Sequence, residues 1–496
     1  MGCASQTRRG GTGRAKKKSV ASAAAPPAAA ADDTTATADT EISHELSTVD
    51  QAPDVTRVIG SHFGVKRIVS AVRLVIDAAV SMRASSRVLN VMDEMDGRPA
   101  FDEPCHTTVQ NFIVRIGLYL TQHRTLVHDD WIWIVDHTIA AGTTKCFVVL
   151  GIRRSRFVEL NRPLQHHDVE PLALIPVEQS TGPIVYQQFQ ALSKRYGVPE
   201  AVVSDRGSDL KKGVDLLRQD HPEVIALYDI VHLVSRLIER TLKQDDRWDE
   251  YRKASCRCAN AVRQTRFAHL KPPRPKTKAR YMNIDREVRW GARALHLLDR
   301  VRSGDLTVRQ QVRLPRDQME AKFGWLDEYR DAISLWTELS RVGQSAASVV
   351  RRHGYGSDTM AELRAVSSDL RHSESSALQA QILEQVEPMC AAVGDNHKLP
   401  GSSEVLESLI GRGKQLLGPT SGNSLTKQIL AMATATVELS SDLIRTALAS
   451  CSIKNVRQWS ADYLPQNLQS LRDEDFTLTT QEQNLRKPIP LSTPVF

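Results

Sequence analysis

The chain has 496 residues, enough for about two to four domains with ample core. Lys and Arg outnumber Asp and Glu by 65 to 58, so the net charge is +7 and the pI is near 9.0, a balance that fits a polyanionic partner. No apolar run approaches ~20 residues and no secretory apolar region follows the start, so the pattern is that of a soluble chain without a membrane-spanning helix.

The opening Met1-Gly2-Cys3 invites lipidation, but Gln6 stands where the myristoylation pattern needs Ser or Thr. Seven scattered cysteines include one close pair, Cys256 and Cys258, which is a poor zinc signal and fits a reduced compartment. Residues 1–54 are rich in Ala, Thr, Ser and Pro around a basic cluster from Arg8-Arg9 to Lys16-Lys17-Lys18. That composition predicts a disordered arm, either a solvated tail or one that touches phosphates.

From 55 to about 125 the pattern is helical. Val65, Ile68, Val69, Val72, Val75 and Ile76 keep a helix period, and Ser81 to Leu89 predicts a second, short helix. A loop with Gly97, Pro99 and Pro104 leads to a third, beginning near His106, with Thr107 or Thr108 close to its cap. Short helix, turn and helix outline a helix-turn-helix, whose second helix would present Thr107, Thr108, Gln110, Asn111 and Arg115 to a DNA groove. An ordinary helical subdomain fits the same residues.

Residues 126–243 change to mixed α/β. Trp131-Ile132-Trp133-Ile134-Val135 reads as a central strand covered on both faces, running directly into Asp136. Lys145–Ile152 and Pro171–Val177 predict two more strands, and Pro183–Tyr196 a helix. Ala201-Val202-Val203-Ser204 predicts a fourth strand ending at Asp205, then come a helix over Leu210–Gln219, a strand over Val224–Leu227 and an amphipathic helix over Asp229–Glu239. A charge at the end of a buried strand needs a partner, and a divalent metal is one.

Residues 244–400 are helical and highly charged. The basic, Pro-rich stretch Lys271 to Arg280 interrupts them as a linker or a phosphate-tracking loop. Trp248, Trp290, Trp325 and Trp336 are core residues or, for one of them, a platform for an extruded base. At 401–460, Gly401 to Lys414 predicts a capped helix with Val405, Leu406, Leu409 and Ile410 inward. Ser403, Glu407, Gly411 and Lys414 share another face, a carboxylate among small residues with a lysine beyond. Residues 461–496 form a polar tail.

Asp136 in Val-Asp-His-Thr, Asp205 in Val-Ser-Asp-Arg-Gly-Ser-Asp and Glu407 in Ser-Ser-Glu-Val-Leu-Glu-Ser-Leu-Ile-Gly-Arg-Gly-Lys resemble the acid triad of DDE-type transposases of bacterial insertion sequences. Asp229-Ile230-Val231-His232 is similar to the Asp/Cys-x-x-His signature of several such families. The resemblance spans about residues 60–440. It implies an α/β RNase H-like core with a mixed five-stranded sheet, a helix-turn-helix region before it and a large helical insertion before the glutamate. It also implies two Mg²⁺ or Mn²⁺ ions on Asp136, Asp205 and Glu407, with Asp229, His232 and Lys414 accessory. His232 would orient an acid or contact the scissile phosphate, or else is a histidine satisfied in the packing of its helix.

Two such ions about 3.5–4 Å apart activate an attacking oxygen and stabilise the leaving one in an in-line displacement. The implied partners are DNA, as terminal inverted repeats and target, and a second copy of the chain or more. No membrane is expected, and the setting would be the bacterial cytoplasm at the nucleoid. The rival readings are a transposase-derived DNA-binding protein without catalysis and an RNase H-like nuclease or resolvase. Glu404, Glu320 and Glu438 are the other candidates for the third acid.

Overall fold

The computed structural model describes residues 61–97, 104–122, 127–141, 144–275, 284–365, 369–394, 397–417 and 425–464, with Val58 and a few positions between 472 and 477. The expected arm over 1–54, residues 276–280 of the basic Pro-rich stretch and most of the expected tail lie outside them. The described residues fall in one unit, within Asp54–Phe496. That unit holds the N-terminal helices, the sheet, the helical region after it and the glutamate helix together.

Three helices come first: α1 (Val65–Ile76), α2 (Met82–Met95) and α3 (His106–Gln122). Ser81 caps α2, accepting the N–H of Ala84 at 3.2 Å. Unlike an amphipathic surface helix, α3 is buried nearly all round, with Val109, Phe112, Ile113, Val114, Ile116, Leu118 and Leu120 in the main core. Gly117 lets it lie against the backbone at Leu430, where an added Cβ would stand 2.0 Å from the carbonyl oxygen.

β1 covers Trp131–Ala141, five residues past the expected end at Asp136, because it pairs antiparallel with β2 (Thr144–Arg153) in one long hairpin. β3 (Glu170–Val177) extends the sheet beyond β2, antiparallel. β4 (Ala201–Ser204) and β5 (Ile225–Tyr228) lie on the other side of β1, both parallel to it, so the order is β3-β2-β1-β4-β5. Helices α4 (Arg154–Leu160), α5 (Gly182–Tyr196), α6 (Ser208–Asp220) and α7 (Ile230–Leu242) connect and follow the strands.

Alternation along β1 decides which side chain meets which layer. Trp131, Trp133 and Val135 join Phe189, Leu192, Leu210 and Val214 in a core under α5 and α6. Ile132 and Ile134 face the other way, into the larger core shared with α3 and α7. Asp136, two positions beyond Ile134, continues this second face.

The region expected to be a helical insertion consists of α8 (Asp246–Val262), α9 (Ile284–Ser303), α10 (Val308–Arg313), α11 (Arg316–Phe323), α12 (Arg330–His353), α13 (Ser357–Ala365) and α14 (Ser373–Val393). Its centre is aromatic: Trp248 and Trp336 stand edge to face at 4.8 Å, with Tyr251 beside both. Trp248 and Trp336 are buried and Trp325 and Trp290 pack partly buried against the same core, so these rings hold the insertion together. α12 and α14 lie against α7. The chain ends in α15 (Glu404–Leu417), α16 (Ala431–Thr434), α17 (Ser441–Ser450) and α18 (Ile453–Tyr463). Among the described residues no helix is long and apolar enough to cross a membrane.

Candidate active site

Asp136 leaves the buried run of β1 on the face that α7 and α15 cover. Burial, joined by the negative charges of Asp205 and Glu407, pushes its carboxyl up to about 7. The N–H of His137, donating to Oδ1 at 2.6 Å, and the charge of His232 oppose that rise. Asp136 is thus within electrostatic reach of two acids far from it along the chain, Asp205 and Glu407.

Asp205 follows directly on β4, the parallel neighbour of β1. The N–H of Gly207 donates to its Oδ1 at 2.8 Å, and between them Arg206 adopts φ +53°, a left-handed conformation costly for a side chain with a Cβ. This tight bend turns the chain from strand into α6 and leaves the Asp205 side chain partly exposed at the strand's end.

Glu407 lies in the first turn of α15, half-buried. Burial pushes its carboxyl up, against the pull of His232. The position of that turn is set by Asp229, the buried N-cap of α7. Its Oδ1 accepts the N–H of His232 at 2.9 Å, and its Oδ2 accepts both the N–H of Ser403 and, at 2.7 Å, the Ser403 hydroxyl. Ile230 N–H donates to the carbonyl of Gly401 at 2.9 Å, so two contacts fasten the start of α15 to the start of α7. Burial alone would raise Asp229, but His232 and these donors hold it below the usual carboxylate range.

His232 stands between two acids. Its Nδ1 is 3.3 Å from Asp229, close for charge attraction though off the line of a hydrogen bond, and its Nε2 is 3.8 Å from Glu407. Burial pulls the imidazole down, but Asp229, Glu407 and Asp205 outweigh it and hold its pKa up at about 9. At neutral pH His232 is therefore a cation facing the acid cluster.

Of the other candidate acids, Glu404 pairs with Arg351 of α12, so the insertion reaches the glutamate helix directly. Glu320 is held in a bidentate pair by Arg302 at 2.6 and 2.7 Å, and Glu438 is exposed in the turn before α17. Lys414 is exposed further along α15. A groove of about 680 Å³ opens beside Glu407, lined by Leu164, Gln165, His166, Glu404, Val405 and Ser408.

The residues expected to read DNA divide. Thr107 and Thr108 sit at the start of α3 with their hydroxyls 3.0 and 3.3 Å from the Cys105 sulfur, and hydrogen bonding to them lowers that thiol to about 7. Gln110 and Asn111 are partly buried. Arg115 is turned inward and committed to the protein: its Nε donates to the carbonyl of Cys451 at 2.6 Å and its Nη2 to that of Leu448 at 2.5 Å, closing the end of α17. A guanidinium so placed is not available to a groove.

The sequence matches no protein-family model and no curated protein. Among the described residues, no group of three His, Cys, Asp or Glu side chains is drawn together tightly enough to hold a metal ion as it stands. The chemistry of Asp136, Asp205 and Glu407 nonetheless suits one. They are hard oxygen donors, two of them held at raised pKa by burial, with mutual repulsion around Asp136 that a divalent cation would relieve. The roles of Arg351 and Ser403 escaped sequence reasoning. Ser403 was legible only as a small residue near a cap, and nothing local marks Arg351.

Proposed function

We propose that this chain is a metal-dependent DNA transposase with an RNase H-like core, binding element ends, cleaving DNA and joining the cut ends to a target. The observation that carries this reading is where the acids stand: Asp136 is on the central strand, with the charges of Asp205 and Glu407, from distant parts of the chain, acting on its carboxyl. Strand order supports it: the first acid is on the central strand, the second ends the parallel neighbour, and the third is on a helix packed against β1 after a helical insertion.

Asp136, Asp205 and Glu407 would hold two Mg²⁺ or Mn²⁺ ions, which when bound supply Lewis acidity at the scissile phosphate. The protein's own residues do the rest. Asp229 holds the glutamate helix against α7, and the same carboxylate keeps His232 protonated. The His232 imidazolium faces the cluster and offers a positive charge to a phosphate oxygen or to Glu407. DNA is the partner, with synapsis of two ends calling for a dimer or larger.

The test is cleavage and strand transfer on DNA from the flanks of the gene, in Mg²⁺ or Mn²⁺. Asp136→Asn, Asp205→Asn and Glu407→Gln should each lower cleavage by roughly a thousandfold or more while DNA binding persists. Cleavage retained in any one removes that residue from the site. Cleavage absent from the wild type overturns the enzyme, and cleavage without joined products reduces it to a nuclease.

A further inference from the structure

Beside the acid cluster lies a group of donors with no acceptor. Arg206, next in sequence to Asp205, places its guanidinium carbon 5.0 Å from the centre of the Tyr228 ring. Arg236 lies one turn along α7 from His232, on the same helix face, and its guanidinium carbon is 6.0 Å from that ring centre. Neither guanidinium makes an ion pair or a hydrogen bond among the described residues, although Asp205 and Asp229 are close enough to act on Tyr228 electrostatically. Several other arginines of the fold are held by carboxylates, as Arg162 is by Asp168 at 2.7 Å and Arg302 by Glu320 at 2.6 Å, or by backbone carbonyls, as Arg115 is.

Two further features set this group apart. The Tyr228 hydroxyl is buried and has no hydrogen-bond partner, a cost that phenylalanine would avoid. Arg206 also holds a left-handed backbone conformation at φ +53°, where glycine would be free of strain. An expensive backbone and an orphaned hydroxyl surround two cations kept on an aromatic platform. What the group lacks is an anion.

We propose that Arg206 and Arg236, held on Tyr228, form a phosphate clamp that grips the nucleic-acid backbone next to the carboxylate cluster. The ligand is a phosphodiester, and this identification rests on the DNA-cleaving reading above; the anion-binding chemistry does not. Stacking on the ring holds each guanidinium extended and ready for bidentate contact with phosphate oxygens. A cationic pair at this place would also counter the repulsion that a polyanionic strand meets from Asp136, Asp205 and Glu407.

The test compares full-length wild type with Arg206→Gln, Arg236→Gln and the double variant, using two probes. One is a labelled 30-base-pair duplex, followed by anisotropy across a salt series; the other is inorganic pyrophosphate, followed by calorimetry. Each substitution should weaken duplex binding about tenfold near 100 mM salt and reduce the slope of log affinity against log salt by about 0.9. Melting temperatures should stay close to wild type, because each guanidinium makes only its contact with the Tyr228 ring, a weak one at an accessible site. Duplex binding unchanged in affinity and slope in the double variant overturns the clamp and leaves the DNA reading intact. Pyrophosphate bound through these arginines by a protein that ignores the duplex supports the clamp and removes the DNA reading. A wild type that binds neither probe overturns the clamp.

Discussion

Ser403 donates both its backbone N–H and its hydroxyl to one carboxylate oxygen of Asp229, which lies 174 positions earlier in the chain. Through this contact a residue that touches no reacting group sets where Glu407 sits, one turn further along α15. Asp229→Ala would strand the N–H groups of Ser403 and His232 in a buried place. The expected cost is about 2–6 kcal/mol, since each of the two orphaned donors costs roughly 1–3 kcal/mol. Asp229→Asn keeps the shape but removes the charge, so the His232 imidazole should titrate well below its wild-type value of about 9. NMR titration of His232 measures this, and an unchanged value in the Asn variant would show that Asp229 is not the source of the raised pKa.

Asp136 makes the metal-free protein sensitive to pH. Its folded pKa of about 7 lies above the unfolded value of about 3.9, so the carboxyl favours folding below pH ~4, and that contribution is lost as pH rises through 7. His232 acts in the same direction over a higher window: its folded value of about 9 exceeds the unfolded 6.5, so its stabilisation is full below about 6.5 and lost through 9. In chelator, melting temperature should fall from pH 5 to pH 9. Asp136→Asn should remove the lower part of that fall and leave the variant about 2–4 kcal/mol more stable than wild type at pH 8. Mg²⁺ should raise the wild-type midpoint at pH 8 and not that of the variant. A flat wild-type profile in chelator would mean that Asp136 is not held in a hostile environment.

The strands were legible because their signal is local. Trp131 to Val135, apolar, β-branched and aromatic throughout, reads as a strand buried on both faces, and the short apolar run Ala201-Val202-Val203 reads as another. The end of β1 was not legible, since His137 and Thr138 extend the strand only because Phe147 and Cys146 pair with them across the hairpin. Local signals also placed Asp136, Asp205 and Glu407 on the right kinds of element. What positions the glutamate helix is remote, Asp229 to Ser403 and Arg351 to Glu404, as is the contact of Arg115 with carbonyls more than 300 positions later. For α3 the polar residues near its start resembled a reading helix, while its burial arises from packing against α16 and α17, which no window around residue 110 contains.

Gly401 allows the segment before α15 to pass close beneath α12. An added Cβ would stand 2.3 Å from Cγ1 of Val350 and 2.7 Å from Cε2 of Tyr355, and Tyr355 is fully buried with its hydroxyl bonded to the Tyr228 carbonyl. Neither neighbour has room to retreat. Gly401→Ala should therefore cost roughly 1–3 kcal/mol by overpacking. It should also slacken the Ser403–Asp229 contact, so cleavage should fall more than duplex affinity does. Equal loss of both would point to general unfolding, and wild-type cleavage in the Ala variant would show that this close passage does not position Glu407.

Arg115 separates the two views of the N-terminal helices. Its donors end on the carbonyls of Leu448 and Cys451, where α17 leaves its last acceptors open. Removing a half-buried charged donor from two carbonyls should cost about 2–3 kcal/mol, so Arg115→Met should lower the melting temperature by several degrees in a chain of this size. Duplex affinity, measured well below the new midpoint, should stay within about twofold of wild type, because a base-reading arginine would instead cost about 1–3 kcal/mol of discrimination. Loss of affinity with an unchanged melting temperature would return Arg115 to the DNA face. The expected loss of stability with binding retained would assign any DNA reading by α3 to its exposed first turn, around Thr107 and Thr108.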